Sequence, residues 1–195
     1  MSSMNSTTRI LDAVLTLITR REGADVTMAE IAKAAGMSRQ GVYLHFADRA
    51  DLVLALVGHV HEKFGVAEEM RKVAEAPTGI AAMREWVSLQ VRLNPVIWSV
   101  ARAFEVVRRT DEAAEQVWQD RLAHRLEACR GIVTRMHQEE TLKEGISQEE
   151  AADLLWTITS LRTWEDLVLE RGWTTVQYER RITRLLYDGL TNEAR

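Results

Sequence analysis

Cysteine, proline and long apolar runs are scarce in this chain, and each shortage closes off a class of protein. One cysteine, Cys129, in 195 residues allows neither an intramolecular disulfide nor a cysteine-built zinc site, since both need several sulfurs. A reducing compartment fits that usage. No run of about 18 apolar residues exists, and the opening MSSMNSTTRI has no charged stretch leading into an apolar one, so neither a membrane span nor a secretory leader is expected. The chain is therefore read as cytoplasmic, with no membrane partner. It also has no Gly-rich phosphate loop, no H-E-x-x-H and no Glu three residues ahead of any of its five histidines. The ligand patterns of zinc and di-iron helical proteins are thus missing. His59 and His61 are two apart and point to different faces of a helix, and His124 with Glu127 reads as a solvated pair. No catalytic residue, metal or cofactor is expected.

What is present is an ordinary globular composition, 46% hydrophobic and 28% charged with a net charge of −4, long enough for a sizeable core. The acidity argues against indiscriminate nucleic-acid binding, but it is unevenly spread. The first fifty residues carry six Lys/Arg against five Asp/Glu, and the remainder nineteen against twenty-four. A small head that meets phosphate and an acidic body that does not would give this asymmetry.

Apolar residues recur at helical spacing throughout, and about nine helices are expected with no strand and no repeat. Ile10, Leu11, Val14, Leu17 and Ile18 mark a first helix over about Thr8 to Arg20, ended by Glu22-Gly23-Ala24-Asp25. Thr27-Met28-Ala29-Glu30 is a capping box that opens a second. Gly36 then supplies a left-handed turn and Ser38 the next N-cap, for a third helix over about Arg39 to His45. Asp48 caps a longer helix to about Lys72, which runs on towards Pro77. Further helices are predicted over about Ile80 to Leu93 and, with Asn94 as cap and Pro95 in the first position, over Pro95 to Arg109. A long one follows from about Asp111 to Glu139, striped by Trp118, Leu122, Leu126, Cys129, Val133 and Met136. Ser147-Gln148-Glu149-Glu150 opens another to about Arg171, where Gly172 ends it, and Thr174-Thr175-Val176-Gln177 opens the last, to about Leu190. The fold class is all-α.

The stretch TMAEIAKAAGMSRQGVYLHF, Thr27 to Phe46, is two short helices about a Gly-containing turn, the helix-turn-helix arrangement. Ile31, Ala32 and Ala35 can pack on Val42, which leaves Ser38, Arg39, Gln40, Tyr43 and His45 outward. Arg39 and Gln40 suit guanine and adenine edges or phosphates, Ser38 a phosphate, and Tyr43 a phosphate or a thymine methyl. No acid lies between Glu30 and Asp48. The candidate DNA-binding set is Thr27, Ser38, Arg39, Gln40, Gly41, Tyr43, His45 and Arg49. Gly41 costs a short helix about 1 kcal/mol against Ala; close approach to a DNA backbone or plain tolerance would both explain it. Tyr43 could instead cover the head, and His45 cap the helix end.

Arg9-Ile10-Leu11-Asp12-Ala13, Thr27-Met28-Ala29-Glu30-Ile31-Ala32, Ala35-Gly36-Met37-Ser38 and Gly41-Val42-Tyr43-Leu44-His45-Phe46, followed by Asp48, Arg49 and Leu52, together resemble the head of the tetracycline-repressor (TetR) family of transcriptional regulators. The likeness covers about forty residues. Leu154-Leu155-Trp156-Thr157, Arg171-Gly172-Trp173 and Tyr178-Glu179-Arg180 are similar to the C-terminal helices of one subgroup. The resemblance implies a homodimer, a three-helix head over residues 1–47, and a helical body over 48–195 that binds a small effector and thereby releases double-stranded operator DNA. It would place a dimer seam on the last two helices, with Ile158, Leu161, Leu185 and Leu186 as candidates, some of them facing the subunit's own core.

All six tryptophans lie in the acidic body. Indoles serve core packing more often than ligands, yet a pocket for an apolar or aromatic effector needs such walls and a few orienting polar groups. The pocket candidates are Trp86 with Gln90, Trp98 with Arg102 and Glu105, Trp118, and Trp156 with Ser160. Trp173 reads as a helix-end contact and Cys129 as a buried thiol, or else a redox sensor. Two other readings stand beside the ligand-responsive repressor. One is a DNA-binding dimer without effector control, whose tryptophans are all core; the other is a helical-bundle enzyme or metal protein, which the missing ligand spacings disfavour.

Overall fold

The computed structural model describes residues 5–21 and 26–192. They form ten α-helices and one π-helical segment, with no strand beyond an isolated bridge between Leu142 and Thr191. The helices are α1 (Ser6–Arg20), α2 (Met28–Ala34), α3 (Arg39–Tyr43), α4 (Arg49–Lys63), α5 (Val66–Glu75), α6 (Gly79–Arg108), α7 (Glu112–Gln138), α8 (Gln148–Ile158), α9 (Leu161–Trp164) and α10 (Thr175–Leu190), with the π-helical segment Glu165–Glu170 after α9. The all-α expectation holds. The predicted stop at Glu22-Gly23-Ala24-Asp25 lies outside the described residues.

Most helix starts are those the capping residues announce. The Thr27 hydroxyl accepts the Glu30 N–H while the Glu30 carboxylate accepts the Thr27 N–H, and Ser147 with Glu150 repeats the device. The Thr174 hydroxyl likewise accepts the Gln177 N–H at 3.1 Å. Gly36 and Gly172 take φ of +65° and +71°, the left-handed turns that only glycine adopts without strain.

The predicted helices are corrected at three places. The helix expected from Asp48 to Lys72 is two, because Gly65 turns left-handed at φ +60° between α4 and α5. The break expected at Asn94-Pro95 is not one: Pro95 lies inside α6, where its missing N–H removes a single bond and the helix continues. The helix expected from Ser147 to Arg171 stops at Ile158, where Thr159 donates its hydroxyl to the Leu155 carbonyl at 2.6 Å and Ser160 caps α9 anew. In addition, α3 ends at Tyr43, two residues short of His45.

Packing divides the chain into two compact units, each made of separated stretches: Met1–Gly65 with Pro95–Gln119, and Val66–Asn94 with Asp120–Arg195. Within the first unit α4 packs on α1. In the first unit Ile10, Val14 and Ile18 of α1, Ile31 and Ala32 of α2, Val42 of α3 and Leu52, Leu56 and Val60 of α4 share one core with Val100, Phe104 and Val107. Asp12 of α1 pairs with His59 at 3.0 Å and with Lys63 of α4, and the hydrogen bond from Lys63 does most to hold its carboxyl below the usual range. In the second unit Met83 and Val87, Cys129, Val133 and Met136, Leu155, and Tyr178, Ile182, Leu186 and Leu190 are buried. At Gly79 a Cβ would come within 2.7 Å of the Met136 backbone, so only glycine permits that approach.

The Thr27 cap gives a direct test of the head. Thr27→Ala is expected to cost about 1 kcal/mol, read by urea unfolding; a change below a few tenths would show that water replaces the hydroxyl. The Arg21 guanidinium, 2.6 Å away, and the Thr27 N–H and O–H hold the Glu30 carboxyl down at about 2. A lowered carboxyl pKa stabilises the folded state above its ordinary value near 4.5, and that contribution fades as pH falls towards about 2.

Candidate DNA interface and effector site

The outward strip of α3 is built by one buried residue and one cap. Val42 is fully buried against α2 and fixes which side faces in, while Ser38 begins the helix by accepting the Gly41 N–H at 3.0 Å. Ser38, Arg39, Gln40, Tyr43, Leu44 and His45 are then all exposed, Tyr43 by 40% and Leu44 by 84%. The Arg39 guanidinium lies 5.6 Å from the Tyr43 ring centroid and reaches its hydroxyl at 3.4 Å, which organises the two side chains as a pair. His45 Nδ1 meets the Thr7 hydroxyl of α1 at 3.3 Å. A Cβ on Gly41 would stand 3.3 Å from Ser38 Oγ, so the glycine also makes room for the cap. Thr27 is exposed at the start of α2 and Arg49 part-buried at the start of α4. The structure thus brings Ser38, Arg39, Gln40, Gly41, Tyr43 and His45 onto one short helix and its end.

The pocket candidates are shared between the two units. Trp98, Arg102, Glu105 and Trp118 belong to the first. There the Arg102 guanidinium covers Trp98 at 5.3 Å, Trp118 stacks on Phe104 at 5.8 Å, and Arg108 lies over Trp118 at 5.2 Å while pairing with Glu105 at 2.7 Å and Glu115 at 2.8 Å. Each of these cations near a ring is either exposed or matched by acids. Trp86, Gln90, Trp156 and Ser160 belong to the second unit. Ser160 is occupied as the α9 cap, accepting the Thr163 N–H at 3.1 Å, and Gln90 is buried.

Around Trp86 and Trp156 the structure adds residues that the sequence reading missed. Thr159, 1% exposed at the end of α8, accepts the Trp86 Nε1–H at 3.0 Å and an Arg125 Nη2–H at 2.8 Å, and donates to the Leu155 carbonyl. All the hydrogen-bonding capacity of its hydroxyl is used. Arg125 of α7 also donates to the Trp156 carbonyl at 2.7 Å, and its guanidinium carbon lies 5.9 Å from the Trp86 ring centroid and 5.3 Å from that of Trp156. Burial pulls the Arg125 pKa down. It does the same to Arg121 one turn earlier, which is not without a partner. Burial also pushes the Cys129 thiol and the Tyr178 hydroxyl up to about 12, against a smaller opposing effect of the Arg125 charge on each. Arg125 stands one turn before Cys129 on α7, a spacing that does not by itself set it apart from a solvent-facing arginine.

Of the seam candidates, Leu186 is 1% exposed and belongs to the unit's own core, Leu185 is 55% exposed, and Ile158 and Leu161 are part-buried. Leu154, Leu169 and Val176 are further exposed apolar residues of this region. Among the described residues no group of three or more His, Cys, Asp or Glu could hold a metal, and no helix is long and apolar enough to cross a membrane.

Residues 10–56 match the model for the bacterial regulatory proteins of the tetR family. Over 88 residues, 45% of either chain, the sequence is 34% identical to the HTH-type transcriptional repressor LfrR of Mycolicibacterium smegmatis. Over 54 residues, 28% of this chain and 26% of the other, it is 39% identical to the HTH-type transcriptional regulator TtgR of Pseudomonas putida. These matches thus span less than half of the curated relatives' length. In fold, a putative transcriptional regulator from Saccharomonospora viridis in complex with choline is similar over 96% of this chain and 98% of its own, with a TM-score of 0.83 at 16% identity. The transcriptional regulator FadR of Bacillus subtilis in complex with stearoyl-CoA is similar over 93% and 97%, with a TM-score of 0.69 at 21% identity.

Two measurements test the buried groups. Thr159→Val keeps the shape but strands the Trp86 and Arg125 donors, and is expected to cost about 1–3 kcal/mol in urea unfolding; a loss under about 0.5 kcal/mol would mean that the hydroxyl is dispensable. With its pKa near 12 and no exposure, Cys129 is expected to resist a thiol reagent at pH 8 until the protein unfolds. Rapid labelling of the folded protein would restore the redox-sensor reading.

Proposed function

The chain belongs to the tetR family of bacterial regulatory proteins, and on that premise we propose that it is a homodimeric, ligand-responsive transcriptional repressor. It binds a near-palindromic operator in double-stranded DNA and acts in the cytoplasm. The observation that carries the reading is the acid-free outward strip of α3, Ser38, Arg39, Gln40 and Tyr43, held at a fixed angle by the Ser38 cap and buried Val42. A helix presented in this way can enter a major groove with its N-terminal residues at base edges. Thr27 and Arg49, at the starts of α2 and α4, are assigned to the phosphates on either side, His45 and Gly41 to the groove wall. These residues lie within the head, read as 1–47, or at its edge.

The body, read as 48–195, supplies the dimer and the effector site. Ile158, Leu161 and Leu185 are assigned to the seam, and the exposure of Leu154, Leu169 and Val176 supports an apolar contact there. Two heads on a two-fold axis then meet half-sites about 34–36 Å apart, or a multiple of that. The effector is small and apolar or aromatic, and Trp86 and Trp156 are its favoured walls. Regulators of similar fold are held with choline and with stearoyl-CoA, which supports a ligand-binding body here. A ligand releases DNA only if it binds the released state more tightly than the DNA-bound one.

The test is selection of bound duplexes from a random DNA library by the purified protein, repeated with Tyr43→Ala and Arg39→Ala. A two-fold-symmetric sequence is expected from the native protein, with affinity for it lowered by about 1–3 kcal/mol in each variant while folding is kept. Unchanged affinity in both variants would remove α3 as the reading helix, and failure to enrich any sequence would remove the operator.

A further inference from the structure

Among the described residues, Arg125 differs from the other arginines that lie over a tryptophan ring. Its part-buried guanidinium is held between Trp86 and Trp156, and its contacts are two indole faces, a backbone carbonyl and a threonine hydroxyl. Both hydrogen bonds leave from Nη2. The Nε–H and the two Nη1–H groups meet no protein acceptor, although they are not sealed from water, and no acid contacts the side chain among the described residues. A guanidinium cannot shed its charge near neutral pH, so a partly desolvated one without a counter-ion costs the fold some stability. Charge on α6 and α8 does not relieve it: the groups these helices bring to it are Trp86, Trp156 and Thr159, all neutral.

Among the described residues, four buried donors of the same unit have no hydrogen-bond partner: Asn94 Nδ2, Trp156 Nε1, Trp164 Nε1 and the Tyr178 hydroxyl. Of these, Trp156 belongs to the indole that lies against Arg125, and Tyr178 is fully buried and close enough for the Arg125 charge to act on it. Buried donors are nearly always paired, and an orphan calls for an explanation, such as a bound group or water. The surrounding backbone is also irregular: α8 stops at Thr159, α9 is a single turn, and a π-helical segment follows, as often happens at functional sites.

We propose that Arg125, with Trp156 Nε1 and the Tyr178 hydroxyl, receives the carboxylate head of the effector, whose apolar body packs on the indoles of Trp86 and Trp156. This rests on the effector-binding reading above and narrows it to one chemical class, an apolar or aromatic monoacid. One guanidinium balances one negative charge, and its remaining N–H groups match a carboxylate's two oxygens in the fork geometry that arginine favours. A phosphate dianion would leave a net charge among indoles. A neutral or cationic head would leave the guanidinium as it is, uncompensated.

The experiment compares acids with their own alcohols on the full-length protein: octanoate with octanol, dodecanoate with dodecanol, and 4-phenylbutyrate with 4-phenylbutanol. Tryptophan emission and melting temperature are followed. Within at least one pair the acid is expected to bind about tenfold or more tightly than the alcohol, because only the acid satisfies the buried donors. Arg125→Met, which can still lie between the indoles, should bind acid and alcohol alike, and without ligand should melt no lower than the native protein. Trp156→Phe keeps the ring but loses the N–H and should weaken the acid alone. If no acid is preferred in any pair, or if the preference survives in Arg125→Met, the proposal is overturned. Should Arg125→Met fail to fold, the same comparison in Trp156→Phe and Arg125→Lys decides. Operator binding, measured alongside, separates the two readings. An acid that binds through Arg125 without releasing DNA leaves the site and removes effector control. DNA release by a neutral compound, with no acid preferred, does the reverse.

Discussion

A helix begins with N–H groups that no upstream carbonyl can accept, and in an all-helical chain this constraint decides where each element lies. Here side-chain oxygens answer it repeatedly: Asn5, Thr27, Ser38, Asp48, Ser147, Ser160 and Thr174 each accept a backbone N–H in the first turn that follows. The consequence for function is sharpest at Ser38. Its hydroxyl both sets the start of a five-residue helix and lies on the exposed strip. So short a helix has little stability of its own. The direction in which Arg39 and Tyr43 point is thus inherited from one cap, from Gly41, which leaves room for it, and from Val42 in the core beneath.

The second unit turns the same chemistry inward. Thr159 gives its proton to the Leu155 carbonyl, which helps to end α8, and the lone pairs left over hold Trp86 and Arg125. A side-chain bond to the carbonyl four residues back loosens a helix; here the loosening lets one hydroxyl fix two large side chains from α6 and α7. The geometry of Trp86, Arg125 and Trp156 is therefore a by-product of a helix break.

That break shows what was and was not legible in the sequence. Start signals were read well because a cap is local: Thr27 with Glu30, Ser147 with Glu150, and Gly36 and Gly172 at φ near +70° are decided by residues three or four apart. Where helices persist or fail in their interiors is decided by packing, and there the reading erred. Pro95 should stop a helix by its own chemistry, yet α6 runs through it, because losing one bond costs less than abandoning the burial of Leu93, Val100 and Phe104 on either side. Gly65, Thr159 and Ser160 carry no strong local mark, yet the chain turns at them. The exposed set on α3 was legible for the same reason as the caps, since a five-residue helix has one buried residue and little freedom. Arg125 was not, because an arginine on a long helix reads as solvent-facing until the indoles that cover it are placed by α6 and α8.

Tryptophan alone does not mark a binding site. Both units hold indoles under guanidinium groups, and in the first the arrangement closes on itself: Arg108 lies over Trp118 but is matched by Glu105 and Glu115. Such a cluster is complete as it stands and gains nothing from an added anion. In the second unit the same stacking occurs without the acids. What distinguishes a wall of the core from a wall of a binding site is then the unbalanced charge between the rings. A protein that keeps a part-buried cation without a counter-ion forgoes stability unless something binds there, and for that reason the proposed recognition is placed on Arg125 rather than on any of the six indoles.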